Sequence, residues 1–264
     1  MAVDIIKRIA ADKRMQVAQE KKEISYEKLK EMAMAAKSSL PDFIFEETLQ
    51  KDGVSFICEV KKASPSRGII SKDFPYMDIA REYERAGADC ISVLTESKYF
   101  LGNDRYLSDI RKAVNLPIIR KDFIVDTYQI YQAKVIGANA VLLICSLMNV
   151  EFLEECIGTC NKLGISALVE VHSEDEVQMA IRAGARMIGV NNRNLKDFSV
   201  DVHNSIRLRK LVPKEMVFIA ESGIRTRDDI KALEKEGVNA VLVGESLMQS
   251  ESKEQKLKEL KGII

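Results

Sequence analysis

The chain has 264 residues, 46% of them hydrophobic, and its 40 basic and 40 acidic side chains cancel to a formal net charge of zero. That length and apolar content suit one larger domain with a substantial core, because α/β barrels reach this size undivided. Balanced charge excludes the broad attraction to nucleic acid or anionic membrane that a basic chain shows, so any anion must be bound at a local site.

The 5 cysteines, Cys58, Cys90, Cys145, Cys156 and Cys160, are odd in number, lie mostly in apolar runs and include no C-x-x-C pair. They read as reduced, buried small hydrophobes. Cys156 and Cys160 are spaced to share a helix face, but with only His172 and His203 as further soft ligands no metal site is expected. The N-terminus lacks a signal-peptide core, and no apolar run approaches the ~20 residues that a membrane helix needs. A cytoplasmic protein without membrane or nucleic-acid partners is the expectation.

Residues 1–45 are charged and helix-prone, with one helical stretch starting at Asp4 and running to Lys22. Ser25 is placed to cap a second, along which Tyr26, Leu29, Met32, Ala33 and Ala36 form an apolar stripe at spacings of three and four. Pro41 closes this extension. From Val54 onward the pattern changes to short apolar runs separated by longer amphipathic stretches, as β-α units around a parallel sheet require.

An internal repeat sharpens this. Ala86-Gly87-Ala88-Asp89, Ile136-Gly137-Ala138-Asn139, Ala183-Gly184-Ala185-Arg186 and Glu236-Gly237-Val238-Asn239 each precede a buried run: 90–94, 140–144, 187–190 and 240–243. Each reads as a helix stopped by glycine and followed by a strand, recurring about every fifty residues, the length of two β-α units. The intervening strands fall at 55–61, 117–121, 166–172 and 216–221. Ser173 with Glu176 and Thr226 with Asp229 look like capping boxes, and Asp126 with Gln129 is a close relative. The reading is an α/β fold, a single (β/α)₈ TIM barrel: residues 1–264 form one domain, with 1–45 a helical extension and 54–264 the barrel.

In such barrels the active site lies at the C-terminal ends of the strands. Here the apolar runs end on Glu59 and Lys61, Lys121, Glu170, Asn191 and Arg193, and Glu221. Side chains alternate along a strand, so Ile57, Glu59 and Lys61 share a face, as do Ile119, Lys121 and Phe123, and Leu168, Glu170 and His172. Any one of these could be an ordinary charge where a strand meets water. Five strand ends behaving alike point to a shared mouth in which glutamates and lysines shift one another's proton affinities, as acid-base chemistry needs. Asp73, Asp104 and Lys112 read as solvated helix faces.

Glu221-Ser222-Gly223-Ile224 and Gly244-Glu245-Ser246-Leu247-Met248 follow the last two strands, the second resembling the start of a short extra helix. Glycines there let backbone N–H groups approach an anion, which is the recurrent barrel phosphate site, although they would equally permit plain tight turns. The loop Ala63-Ser64-Pro65-Ser66-Arg67-Gly68 brings hydroxyls, a cation and a glycine to the same mouth, where it either closes over a substrate or forms a flexible, irregular turn.

These residues resemble the indole-3-glycerol-phosphate synthase family along nearly the full chain. The resemblance runs through Glu59-Val60-Lys61-Lys62-Ala63-Ser64-Pro65-Ser66, Leu94-Thr95-Glu96 with Lys98-Tyr99-Phe100, and Lys121-Asp122-Phe123-Ile124. It continues in Leu168-Val169-Glu170-Val171, Ile188-Gly189-Val190-Asn191-Asn192-Arg193-Asn194-Leu195, Ala220-Glu221-Ser222-Gly223-Ile224 and Val243-Gly244-Glu245-Ser246-Leu247-Met248.

The resemblance implies ring closure of 1-(2-carboxyphenylamino)-1-deoxyribulose 5-phosphate to indole-3-glycerol phosphate, with loss of carbon dioxide and water and no cofactor or metal. It implies Lys121 as general acid and Glu170 as general base. Lys61 would hold the substrate carboxylate opposite the phosphate, and Glu59, Asn191 and Glu221 would position the intermediate. Ser64, Arg193, Ser222, Gly223, Gly244 and Glu245 would bind phosphate or hydroxyls, with the Glu245 side chain turned to solvent. Phe100 and Phe123 would line the aniline pocket. The implied partner is a phosphorylated small molecule, and the expected state a monomer or weak homo-oligomer. From the residues alone, a Schiff-base aldolase built on Lys121 or Lys61 and a non-catalytic phosphosugar-binding barrel remain open. The N-terminal helices are open between capping the barrel, covering the substrate and mediating association.

Overall fold

Each short apolar run rich in β-branched residues forms a strand, because such side chains pack well on a half-buried pleat. The computed structural model describes residues 5–194 and 198–264, so Asp4 and Leu195 lie outside the described residues. The strands are β1 (Ser55–Val60), β2 (Cys90–Leu94), β3 (Ile118–Lys121), β4 (Ala140–Ile144), β5 (Ser166–Val171), β6 (Met187–Asn191), β7 (Val217–Glu221) and β8 (Ala240–Val243). They close into a parallel barrel in chain order, with β8 pairing back onto β1 through Ser55 opposite Ala240 and Cys58 opposite Val243. The expected fold class is therefore met.

Alternation along the strands divides the core into two layers. Ile57, Ile119, Leu142, Leu168, Ile219 and Leu242 fill the barrel interior, while Cys58, Val93, Val141, Val169 and Phe218 pack outward against the helices. A short helix that the periodicity did not reveal enters the inner layer: Phe45 and Leu49, in and just after Ile44–Thr48, are fully buried among the interior residues. At five residues it is too short to show a 3.6-residue pattern.

The helices that matter for the site are α1 (Ile5–Glu23), α2 (Tyr26–Ala35), α3 (the Ile44–Thr48 helix), α4 (Tyr76–Arg85), α5 (Asp104–Ala113), α6 (Tyr128–Val135), α7 (Val150–Leu163), α8 (Glu174–Arg182), α9 (His203–Arg209), α10 (Arg227–Lys235) and α11 (Glu245–Met248). Ser25, Ser173 and Thr226 all accept a backbone N–H as caps, but only Thr226 and Asp229 complete a capping box. Glu176 instead receives the N–H of His172 at 2.7 Å. Asp126, not the adjoining Thr127, supplies the side-chain bond at the start of α6, accepting from Tyr128 N–H at 2.9 Å. Gly87, Gly137, Gly184 and Gly237 all adopt the left-handed backbone that ends a helix.

On α2, Leu29 and Ala33 are buried but Met32 is exposed, so the apolar stripe is narrower than its spacing suggested. Tyr26 meets Tyr131 of α6 edge-on, with ring centroids 5.5 Å apart. The five cysteines are free and buried, and burial pushes every thiol above its ordinary value, which leaves them inert. Among the described residues no helix is long and apolar enough to cross a membrane, and no group of three or more His, Cys, Asp and Glu side chains is arranged to hold a metal ion.

Candidate active site

The strand-end charges converge on Lys121. Its Nζ lies 3.0 Å from Glu170 Oε2 and 2.9 Å from Glu221 Oε2, reached across the barrel from β3 to β5 and β7. Both carboxylates are almost fully buried. Burial alone would weaken the Lys121 ammonium, yet Glu170, Glu221 and Glu59 outweigh it and hold the pKa well above the usual lysine value. Burial also works against the charge of Glu170, but Lys121 and then His172 keep its pKa below the ordinary glutamate value. In Glu221 burial prevails over Lys121, repulsion from Glu170 adds to it, and the pKa rises to about 7. Two carboxylates thus share one ammonium, and they titrate as a pair. Asn191 completes the arrangement by donating from Nδ2 to Glu170 Oε1 at 3.3 Å.

Glu59 and Lys61 form a second ion pair at the end of β1. Gly244 belongs to this pair: a Cβ there would fall 2.2 Å from Glu59 Oε2 and 3.0 Å from Lys61 Nζ. The glycine therefore provides close approach, not the positive φ of a tight turn. Barrel closure sets β1 beside β8, so Lys61 stands next to the strand 8 loop and not across the mouth from it. Division of the mouth into a Lys61 end and an opposite phosphate end is corrected accordingly.

The β7 loop is turned sharply, with Ser222 at φ 68° and Gly223 at φ 85°. A left-handed non-glycine residue is costly and persists only where its surroundings enforce it. Here Asn192 Nδ2 donates to the Ser222 carbonyl at 3.1 Å. Ser64 lies in a small antiparallel hairpin, Ala63–Ser64 against Gly68–Ile69, where an irregular loop was expected.

Glu245 opens α11 as expected, but its carboxylate does not point to solvent. Arg67 from the hairpin donates to Oε1 at 2.9 Å, Arg193 donates to Oε2 at 3.1 Å, and Arg225 from the β7 loop lies 4.0 Å from Oε1. Three guanidiniums from three loops meet one anion beside the glycines. A dianion bound there faces a like charge within several ångströms, worth about 1 kcal/mol at partly exposed sites. Glu245→Gln keeps the backbone N–H and removes that charge, so the inhibition constant of inorganic phosphate should fall about fivefold, which a titration at constant ionic strength checks.

The apolar wall is formed by Phe100 and Phe123, with ring centroids 6.1 Å apart. Phe100 is held by the buried Glu96 carboxylate, which accepts the N–H groups of Lys98, Tyr99 and Phe100. Ile5, Ile6 and Ile9 of α1 line the same pocket, so the extension covers the mouth. It is locked there by Lys13, whose ammonium lies 2.9 Å from Asp122 Oδ1 with both residues buried. Asp122 also accepts from Thr95 at 2.6 Å, and Arg120 bridges Asp122 and Asp104, the latter at 2.9 Å. Asp104, whose place on an amphipathic helix suggested a solvated face, is thus ion-paired through a buried oxygen while the rest of its side chain stays partly exposed. Burial raises its pKa against the pull of Arg120.

Residues 6–260 match the family model described as indole-3-glycerol phosphate synthase. The chain belongs to that family. A curated synthase of Ruminiclostridium cellulolyticum is 52% identical over 98% of this chain and 99% of its own length. Another, of Endomicrobium trichonymphae, is 50% identical over 97% of this chain and 99% of its own. Among solved structures, 3-hexulose-6-phosphate synthase from Salmonella typhimurium superposes with a TM-score of 0.64 at 15% identity, over 80% of this chain and 98% of that one. Thiamine phosphate pyrophosphorylase from Pyrococcus furiosus gives 0.59 at 18% identity, over 83% and 96%. Those likenesses concern the barrel alone.

In this member of the synthase family, every residue singled out from the sequence lines one pocket: Glu59, Lys61, Ser64, Phe100, Lys121, Phe123, Glu170, Asn191, Arg193, Glu221, Ser222, Gly223, Gly244 and Glu245. Sequence reasoning missed Arg225, Leu142 and the α1 isoleucines, which line it too. Arg225 lies four residues beyond the end of β7, where alternation no longer assigns a direction. Nothing in the sequence marks Ile5, Ile6 and Ile9 as anything but a helix stripe.

Proposed function

We propose that the chain closes the indole ring, converting 1-(2-carboxyphenylamino)-1-deoxyribulose 5-phosphate to indole-3-glycerol phosphate, as the names of its relatives at about half identity support. The observation that carries the residue roles is Lys121 held as an ammonium between Glu170 and Glu221 in a pocket that has an arginine-rich end. Lys121 protonates the ketone oxygen as the aromatic carbon attacks it, since a developing alkoxide needs a donor placed beforehand. Lys61 meets the substrate carboxylate, and once that group has left as carbon dioxide its ammonium is free to protonate the departing hydroxyl. Glu170 removes the proton whose loss makes the ring aromatic. Glu59, Glu221 and Asn191 hold these groups in register. Gly223, Gly244 and the Glu245 N–H, with Ser64, Ser222 and Arg193, take the phosphate and hydroxyls, and Phe100 with Phe123 takes the aniline ring.

A Schiff-base reading is disfavoured by the same geometry, because that chemistry needs a neutral amine and three carboxylates keep Lys121 charged. Domain limits of 1–45 for the extension and 54–264 for the barrel are part of the proposal. So is a cytoplasmic monomer or weak homo-oligomer without nucleic-acid or membrane partners, which balanced charge supports. Fluorescence of the indole product, followed with purified protein and the anthranilate-derived substrate, tests the reading. Absence of product sinks it.

The carboxylate pair sets a pH dependence. As pH falls through about 7, Glu221 takes a proton and weakens its hold on Lys121, so kcat should decline with a midpoint near that value. Glu221→Gln should move the midpoint acidward, because Glu170 is held low by Lys121. The stability effect has the opposite sense. The Glu221 pKa is raised above the ordinary glutamate value of 4.5, so its contribution is complete below that pH and is lost as pH rises through about 7. Thermal melts of Glu221→Gln and the parent at several pH values separate the two.

A further inference from the structure

The proposed reaction consumes one proton per turnover. Its substrate carries a carboxylate that departs as neutral carbon dioxide, and the product keeps only the phosphate charge. Ring closure moves a proton from Lys121 to the new hydroxyl, and its loss as water takes a second from Lys61. Aromatisation returns one, from the carbon beside the ring nitrogen, to Glu170, which lies 3.0 Å from Lys121. Glu59, which also acts on the Lys121 charge, pairs with Lys61, so the returned proton can pass along this chain to recharge Lys61 and leaves Lys121 one proton short. One proton must still enter from solvent, although Glu170 and Glu221 are almost fully buried.

His172 stands where that entry is needed. It follows β5 on the side-chain face of Glu170, and its Nε2 lies 3.5 Å from Glu170 Oε1, on the oxygen that Lys121 does not use. That nitrogen is buried and makes no hydrogen bond to any described residue. On the other side, Nδ1 lies 3.5 Å from Glu176 Oε2 at the start of α8. Beyond is a second cavity of about 760 Å³, large enough for many waters, which His172 and Glu176 line with Lys7, Asp201, His203 and Arg207. Glu170 lines the first pocket and not the second, and His172 the second and not the first.

We propose that His172 is a proton-relay residue that carries protons from the second cavity to Glu170, and through it to Lys121, between turnovers. This rests on the ring-closure reading above. The step breaks the Nε2–H bond and forms an O–H bond on Glu170. The neutral imidazole left behind keeps its hydrogen on Nδ1, so the ring turns about the Cβ–Cγ bond to bring the bare Nε2 to the cavity, takes a proton there from water beside Glu176, and swings back as the imidazolium. Burial disfavours the imidazolium, but Glu176, Glu170 and Glu221 together raise its pKa above the ordinary histidine value, so it can be charged near neutrality.

The test is His172→Gln at a pH of about 8 in dilute, non-transferring buffer. Steady-state kcat should fall about tenfold, while KM and the rate of the first turnover, which starts from a charged enzyme, stay near the parent's. Added imidazole should restore kcat in proportion to its concentration, and Glu176→Gln should show the same defect in milder form. An unchanged kcat overturns the relay, as does a loss that already appears in the first turnover and that imidazole does not relieve. If the parent protein makes no indole product the reaction reading fails, whereas a parent that turns over beside an unaffected variant sinks the relay alone. Equal melting temperatures show that the comparison is between folded proteins.

Discussion

Lys121→Met should lower turnover by about 10²- to 10⁴-fold while inorganic phosphate still binds, because a positioned general acid is worth that much and the arginine-rich end is untouched. Methionine fills the space of the apolar stem and lacks only the terminal ammonium, so packing around β3 changes little. Charge is what changes. Glu170 and Glu221 lose the ammonium 3.0 and 2.9 Å away and face each other in a buried site. Like carboxylates so placed cannot both stay ionised, and the pair should take up a proton at neutral pH. The variant should therefore melt closer to the parent at acidic pH than at alkaline pH. Turnover within tenfold of the parent would remove Lys121 from the role of acid, and a binding barrel without chemistry would show no product from either protein.

Much of this was legible because strands and barrels obey local rules. A period of two puts Ile57 with Glu59, Ile119 with Lys121 and Leu168 with Glu170, so an inward apolar residue names the direction of the charge above it. Glycines after the helices set the repeat, and the repeat set the strand count. What escaped depends on which distant segments meet. Closure of β8 onto β1 brought Lys61 to Gly244, and no local pattern encodes that adjacency. Glu245 looked like any first-turn glutamate until three loops delivered Arg67, Arg193 and Arg225 to it. Lys13 sits among other charges on a long helix, and the sequence gives no reason to separate it from Lys7 or Lys21. Yet Lys13 is 2% exposed. The period-3.6 argument finds buried apolar faces, and it has no means of finding a buried cation whose partner is more than a hundred residues away.

That cation carries the second large effect. Lys13→Met leaves Asp122 buried with Arg120, Thr95 and the Phe123 N–H to answer it but without the ammonium, and breaking one side of a buried pair costs about 3–5 kcal/mol. At roughly 2–4 °C per kcal/mol for a chain of this size, the melting temperature should fall by about 10 °C. The consequence for catalysis follows from sequence adjacency: Asp122 is the neighbour of Lys121, and Thr95 N–H bonds the Lys121 carbonyl at 3.1 Å while its hydroxyl bonds Asp122. Loosening Lys13 also frees α1, whose Ile5 and Ile9 line the pocket. Both kcat and KM should therefore worsen at temperatures well below the melt. A variant with lowered stability but unaltered kinetics would make α1 a clamp on the barrel and nothing more. A double variant, Lys13→Met with Asp122→Asn, distinguishes the causes, since neutralising Asp122 removes the unpaired charge. It should recover stability if the charge is responsible, while any kinetic defect due to a displaced α1 persists.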